Sequence, residues 1–195
     1  MLALVVPAAA LDESLSRQVL AEINLARTSP RSYAGFLRDF RKLFQGKLYT
    51  LPGSSTRTQT REGVAAVDEA IRYLARQKPQ PPLSWSNGLA AAAAELAKEQ
   101  GRYGGTGHVG RQSHGVQERI ERHGTWEREI AENIGYGPKE ARIMVMQLII
   151  DDGVRDRGHR RNTFGKTFST AGVACGSHPG FGSMCVIDFA GGFRE

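Results

Sequence analysis

His159 is the residue of this sequence best placed to take part in chemistry. It lies in the segment 157–162, Arg-Gly-His-Arg-Arg-Asn, after a long apolar stretch and before two runs of strand-forming residues. An imidazole changes its charge near neutral pH, so it can serve as an acid, a base or a metal ligand. A histidine held between two packed elements is typically directed into a cleft, and we expect His159 to lie in one.

A second candidate, His108, lies in a glycine-rich segment at 101–110. This segment is not predicted to bind phosphate, because no strand-like run precedes it and no Gly-Lys-Ser/Thr sequence follows it. Acyl transfer would require a serine or cysteine activated by a histidine. The sequence has no Gly-x-Ser-x-Gly motif, and Ser113, close to His108 in sequence, is the serine that could act as a nucleophile. Hydrolysis is therefore kept as the alternative function.

Apolar residues at helical spacing predict the elements that must position these histidines. We predict helices at about 12–26, 30–44, 63–77, 87–94, 116–123 and 143–150. The alanine run 90–94 indicates close approach by a neighbouring element. The helix at 143–150 is apolar on most faces and should be central. By contrast, the segment 45–62 is rich in Gly, Thr, Ser, Gln and Arg, which predicts an exposed loop that is either mobile or functional.

Two strand-like runs, 168–175 and 184–190, flank a Gly/Pro turn region and predict an antiparallel hairpin. Alternation along the strands places Val173 with Cys175 on one face, and Cys185 with Ile187 and Phe189 on one face, both directed at the core. The two cysteines can pair if the register sets them opposite each other. A disulfide and two buried free thiols are both compatible with the sequence.

The first ten residues, Met-Leu-Ala-Leu-Val-Val-Pro-Ala-Ala-Ala, are apolar and end in small residues, as the second half of a secretory signal does. A frayed tail or a first helical turn is the alternative. We expect 1–10 to be the remnant of a signal and 11–195 to form a single domain that is secreted or periplasmic.

Composition narrows the class of protein further. With 195 residues, 40% apolar and 24% charged, the chain is predicted to form one globular domain. No apolar run approaches the roughly 20 residues that span a bilayer, so no transmembrane segment is expected. The net charge of +6 favours anionic surfaces such as acidic polysaccharide or lipid headgroups. The basic residues of the chain are scattered and do not alternate with aromatic residues, so nucleic acid is not an expected partner.

Several motifs together resemble those of the CAP superfamily, which comprises the cysteine-rich secretory proteins, antigen 5 and pathogenesis-related proteins, and especially its bacterial members. The matching segments, in chain order, are Ile23-Asn24-Leu25-Ala26-Arg27 with Pro30 and Tyr33, Pro82-Leu83-Ser84-Trp85 with Leu89, Gly107-His108 with Arg119-Ile120, Ala131-Glu132-Asn133-Ile134, and Gly158-His159-Arg160-Arg161-Asn162 with Phe168 and Gly172-Val173. They span most of the chain from about 11 to 193. Residues 45–80 fall outside the resemblance and look like an insertion.

The resemblance implies an α+β fold, a three-layer α-β-α sandwich with a small antiparallel sheet. It also implies a cleft with two histidines and two acids, which in parts of the family binds a divalent metal such as zinc. The implied histidines, and metal ligands, are His108 and His159, and one implied acid is Glu132. The second family acid, a glutamate shortly after a helical tryptophan, has no match. Asp151 and Asp152 are the nearest candidates for it.

We therefore predict an exported, non-enzymatic CAP-domain binding protein whose cleft contains His108, Glu132, Asp151 and His159. The family implies lipid or sterol ligands in some members and protein partners in others. A lipid ligand would need a mobile apolar groove, which Phe36, Phe40 and Phe44 beside the loop 45–62 could supply. The alternative is a metal-dependent or serine-dependent hydrolase of the protease type.

Overall fold

A computed structural model describes residues 11–195, so the predicted signal remnant at 1–10 lies outside the described residues. The helices are α1 (Glu13–Thr28), α2 (Pro30–Arg41), α3 (Val64–Arg76), α4 (Asn87–Tyr103), α5 (Val116–Glu121), α6 (Ala141–Ile150) and α7 (Gly158–Thr163). The strands are β1 (Phe44–Gln45), β2 (Leu48–Thr50), β3 (Arg57–Gln59), β4 (Ser84–Trp85), β5 (Thr125–Tyr136), β6 (Thr170–Gly176) and β7 (Met184–Arg194). Over 11–195, no helix is both long and apolar enough to cross a membrane.

The central sheet has four strands in the order β4-β6-β7-β5. Strand β7 pairs antiparallel with both β5 and β6, whereas the short β4 pairs parallel with β6. The hairpin predicted from the sequence is confirmed as β6 and β7, with Cys175 opposite Cys185. These two residues form a disulfide.

The two faces of the sheet bury different helices, and alternation along the strands decides which side chain faces which layer. Val173, Cys175, Ile187 and Phe189 join the larger core, which α1, α2, α3 and α6 complete. Ala174, Met184 and Val186 face the opposite way, against Ala93, Leu96 and Ala97 of α4. The predicted three-layer α-β-α sandwich with a small antiparallel sheet is therefore confirmed.

The alanine run of α4 allows this helix to lie directly on the sheet. A Cβ added at Gly172 of β6 would come within 2.0 Å of the Ala90 backbone nitrogen, so the close approach of α4 requires glycine at 172. Ser86 begins the helix, its hydroxyl accepting a hydrogen bond from the Leu89 backbone nitrogen at 3.1 Å.

The segment 45–62, predicted as an exposed loop, instead contains most of a three-stranded antiparallel sheet, β1-β2-β3. The second helix was also predicted too long, because α2 ends at Arg41 and Phe44 lies in β1. Both differences have one cause. Tyr49 of β2 is buried, and the centre of its ring lies 4.9 Å from that of Phe40 and 5.0 Å from that of Phe44. An apolar side chain therefore holds this otherwise polar segment against the domain.

Candidate functional site

The first half of the site forms where α6 ends. Asp151 takes a left-handed backbone conformation, with φ of 57°, and terminates the helix. Its buried carboxylate then accepts a hydrogen bond from the His159 backbone nitrogen at 2.9 Å and lies 2.6 Å from the His159 Nδ1 atom. One carboxylate thus stabilises the first turn of α7 and orients the imidazole that this helix carries.

Asp152, the other candidate for the second acid, has a different role. Its two carboxylate oxygens accept hydrogen bonds from the backbone nitrogens of Arg61 and Glu62, at 2.6 and 2.8 Å. Asp152 therefore attaches the segment after β3 to the loop that follows α6, and Asp151 is the acid paired with a histidine.

The second half of the site is the pair of His108 and Glu132. The His108 Nδ1 atom lies 2.8 Å from Glu132 Oε1, and half of the His108 side chain is exposed whereas Glu132 is almost completely buried. Arg119, also buried, donates to the other Glu132 oxygen. The same guanidinium donates to the backbone oxygens of His108 and His114, at 3.1 and 2.6 Å. The glycine-rich loop is thereby fixed to β5.

Two asparagines connect the halves of the site. The Asn133 amide donates to the His159 backbone oxygen at 3.0 Å. The Asn162 amide donates to Asn133 Oδ1 at 2.9 Å and, more weakly, to the Glu132 backbone oxygen at 3.4 Å. These bonds attach α7 to β5, so the two imidazole–carboxylate pairs are carried by one connected framework.

Asp188 is a further buried acid that the sequence analysis did not assign to the site. It is the register partner of Glu132 across β5 and β7, and neither of its carboxyl oxygens has a hydrogen-bond partner within the described chain. Burial, together with the nearby Glu132 charge, raises the pKa of Asp188 well above its usual range. A signal was available, because Asp188 is the one charged residue in the apolar run 184–190.

A pocket opens beside the His159–Asp151 pair, with a volume of about 280 Å³. One wall is aromatic and comes from Phe40, Phe44 and Tyr49. Leu148 and Ile150 near the end of α6 also line the pocket, together with His159. Residues 58–60 and Gly63 are also part of the lining, so the segment that contains β3 supplies part of the wall. The remaining lining residues are Ile134, Gly135, Tyr136, Gln147, Asp151, Asp152 and Val154. Phe36, the remaining groove candidate, instead lies beneath the Arg142 guanidinium.

Any metal ion at this site would have to be held through the imidazoles. Both carboxylates face Nδ1 atoms, which leaves the Nε2 atoms of His108 and His159 as the nitrogens without an assigned hydrogen bond. In residues 11–195 no group of three or more His, Cys, Asp or Glu side chains is arranged to hold a metal. Glu132 and Asp151 would then act as outer partners that orient the rings, the usual role of carboxylates behind metal-binding histidines.

Comparison with known proteins agrees with the fold. Residues 20–189 match the family model for CAP, the cysteine-rich secretory protein family. This chain belongs to the CAP family. No curated protein matches it significantly.

Two solved structures similar to this CAP domain come from bacteria. One is an extracellular protein containing an SCP domain from Bacillus anthracis str. Ames, 16% identical, with a TM-score of 0.47 over 65% of this chain and 37% of that one. The other is an outer surface protein from Borrelia burgdorferi, 16% identical, with a TM-score of 0.46 over 55% of this chain and 76% of that one. The CAP chain described here thus spans about a third of the Bacillus protein.

Proposed function

We propose that this CAP domain is an exported, non-enzymatic binding protein that holds a small amphipathic molecule, such as a lipid or part of a sterol, in the pocket beside His159. The observation that carries the proposal is the composition of the pocket lining, which combines the aromatic Phe40, Phe44 and Tyr49 with a few polar groups, among them Gln147 and His159. Small-molecule sites usually combine mostly apolar walls with a few oriented polar groups.

The polar groups of the lining form a defined set. The side-chain amide of Gln147 donates to the Tyr49 hydroxyl at 2.9 Å. The hydroxyl hydrogen of Tyr49 and the side-chain oxygen of Gln147 are thus left for a ligand. The Nε2 atom of His159 adds a third group, and Asp151 orients its ring. These groups suit a hydroxyl, carbonyl or carboxyl head attached to an apolar body. A volume of about 280 Å³ is slightly below the usual range of about 300–1,000 Å³, so the ligand is small or only partly enclosed.

Binding is favoured over acyl transfer by the partners of the imidazoles. Within residues 11–195, no serine, threonine or cysteine side chain hydrogen bonds to a histidine nitrogen; Glu132 and Asp151 occupy the Nδ1 atoms of the two cleft histidines. Ser113, the candidate nucleophile, is buried and its hydroxyl has no partner. Both cysteines are joined in the disulfide. No contact in the site therefore activates a nucleophile.

We also propose that the Nε2 atoms of His108 and His159 can bind zinc, with water completing its coordination. It also includes export, which the disulfide supports because such bonds persist in oxidising compartments. Zinc titration of the protein beside a His108→Ala/His159→Ala variant tests the first part. Thiol alkylation of protein recovered from the cell exterior and from the cytoplasm tests the second.

The deciding experiment is calorimetric titration with dodecanoic acid and with cholesterol, comparing two variants of the insertion. Thr58→Trp places an indole at an exposed position that lines the pocket and should abolish binding. Thr56→Trp makes the same change at an exposed position that does not line it, and should bind as the wild type does. Stoichiometric uptake of either compound, lost only in Thr58→Trp, supports the proposal. Absence of uptake, or uptake insensitive to Thr58→Trp, contradicts it.

A further inference from the structure

Three of the large hydrophobic side chains that the described chain exposes lie around the glycine-rich loop. Tyr103, Val109 and Phe181 are 62%, 73% and 50% exposed. Tyr103 ends α4 and Val109 follows His108 in the loop, whereas Phe181 belongs to the turn between β6 and β7. Isolated apolar side chains are common on protein surfaces, but neighbouring ones indicate a contact surface.

Direct contacts hold the loop and the turn together. The His178 Nε2 atom lies 2.8 Å from the Gly105 backbone oxygen. A Cβ at Gly104 would be 3.6 Å from Pro179, which places the two segments in near contact. His178, buried beneath the turn, also lies 5.1 Å from the Phe181 ring, measured between ring centres. The exposed side chains are therefore presented by one supported surface.

Cations outnumber acids around this surface. Lys98, Arg102 and Arg111 are exposed, and none of them forms a salt bridge within residues 11–195. The nearby acids are already engaged. Glu99 accepts hydrogen bonds from three consecutive backbone nitrogens, those of residues 111–113, at 2.5 to 3.1 Å. Glu95 pairs with Arg122 and His123. Glu95 and Arg122 offset each other, so Glu99 is the one carboxylate among these groups that offsets the three cations, and an excess of two positive charges remains.

Two cavities place the cations on one face with Tyr103 and Val109, and the contacts between the loop and the turn add Phe181 beside them. The larger, of about 690 Å³, is lined by Tyr103, Val109 and Arg111 among others. The smaller, of about 370 Å³, is lined by Lys98, Arg102 and Tyr103. Tyr103 belongs to both. We call the six residues Lys98, Arg102, Tyr103, Val109, Arg111 and Phe181 the loop patch.

We infer that the loop patch docks this protein on an anionic lipid surface. Aromatic side chains favour the membrane–water interface, and Lys and Arg beside them are attracted to anionic headgroups while their aliphatic stems cover apolar surface. We commit to a lipid surface on charge complementarity, because each exposed cation strengthens attraction to an anionic leaflet; a protein partner, for which Arg and aromatic residues are also suited, predicts no binding to vesicles. This inference goes beyond ligand binding in the pocket and does not depend on it.

The test is co-sedimentation of the full chain with vesicles of phosphatidylcholine alone or with about 30% phosphatidylglycerol. We expect binding to the anionic vesicles, weakening with salt, and much weaker binding to the neutral ones. Arg102→Gln/Arg111→Gln should weaken binding about 25-fold, roughly 5-fold for each cation removed. Arg38→Gln/Arg72→Gln removes the same charge from α2 and α3 and should change binding less than about 3-fold.

A second pair of variants tests the apolar contribution. Tyr103→Ser/Val109→Ser should weaken binding to anionic vesicles, whereas Leu25→Ser, at a 37% exposed position of α1, should not. Residues 1–10 are identical in every variant, so differences among variants report on the loop patch. Equal binding to both vesicle types, no binding, or equal losses in the patch and control variants would overturn the inference. Uptake of dodecanoic acid, measured without vesicles, reports separately on the pocket.

Discussion

Glu132 and Asp188 face each other across β5 and β7, and both carboxyl groups are buried. Arg119 is the buried cation beside them and donates to Glu132. One guanidinium balances one carboxylate, so a second ionised acid at this position would be uncompensated. The raised pKa of Asp188 follows, first from burial and then from the Glu132 charge. The raised pKa favours the neutral form of Asp188 beside Glu132, the acid that Arg119 contacts.

We predict that Asp188→Asn stabilises the protein at neutral pH. Because the folded state raises the pKa of Asp188, folding takes up a proton above about pH 4, the pKa of an unfolded Asp, and stability falls as the pH rises. Asn removes this penalty, which is about 1.4 kcal/mol for each unit of pKa shift. Urea unfolding between about pH 4 and pH 8 should show a gain in the free energy of unfolding that grows with pH.

Asp68→Asn is the matched control for this pH dependence and should behave in the opposite way. The hydrogen-bonded Arg41 guanidinium lowers the pKa of Asp68, so its ionisation adds stability above the unfolded pKa, and this stability is lost as the pH falls. The control should be less stable than the wild type at neutral pH and equal to it at low pH. A pH-independent difference for Asp188→Asn would show that proton uptake is not the cause.

We predict that Arg119→Met costs about 3–5 kcal/mol of unfolding free energy, because it leaves Glu132 buried without a counter-charge. Arg122→Met, which breaks a half-exposed pair with Glu95, should cost less than about 1 kcal/mol. Arg119→Met/Glu132→Gln should recover part of the loss, since no buried charge remains. Denaturant unfolding measures all three, and similar costs for Arg119→Met and Arg122→Met would contradict the account.

Features that depend on local pattern could be predicted from the sequence. The N-cap of α1 is an example: the Asp12 carboxylate accepts a hydrogen bond from the Leu15 backbone nitrogen at 2.8 Å, as expected of an Asp before a helical apolar stripe. The faces of β6 and β7 also followed from alternation, because both strands are buried along most of their length. In these segments local propensity and tertiary packing favour the same structure.

Features that depend on distant contacts were not predictable in this way. Strand β5 was missed because its register shifts between Glu127 and Ile130, with Arg128 at φ of 70°, which breaks the alternation. Asp151 and Asp152 are chemically equivalent in sequence, and the left-handed backbone at Asp151 decides which of them reaches His159. Arg119 appeared in the family motif without a role, since its partner Glu132 lies on another element.

We predict that removing the disulfide, as Cys175→Ala/Cys185→Ala, lowers the free energy of unfolding by about 2–3 kcal/mol. The bond joins residues 10 apart in sequence, so it closes a short loop and restricts the unfolded chain only moderately. The fold should persist because the cysteines face a core already filled by Val173, Ile187 and Phe189. Thermal unfolding with and without reductant checks this, and an unfolded double variant would contradict it.

Arg157 attaches the segment that follows β3 to the start of α7. Arg157 donates to both carboxylate oxygens of Glu62, at 2.6 and 2.7 Å, and to Glu69 at 2.8 Å. The Arg157 hydrogen bonds lower the pKa of Glu62 to about 2, so the pair stays ionised from neutral pH down to about pH 4 and is lost as the pH approaches 2.

Because Arg157 and Glu62 are partly exposed, we predict that Arg157→Gln raises local opening of residues 44–60 by only about 5-fold, equivalent to about 1 kcal/mol. Hydrogen exchange at neutral pH should show faster exchange there, while the central sheet stays protected. Arg155→Gln, an exposed neighbour, should leave exchange unchanged. Exchange that rises equally in both variants, or in the central sheet, would mean that Arg157 does not specifically secure the wall of the pocket.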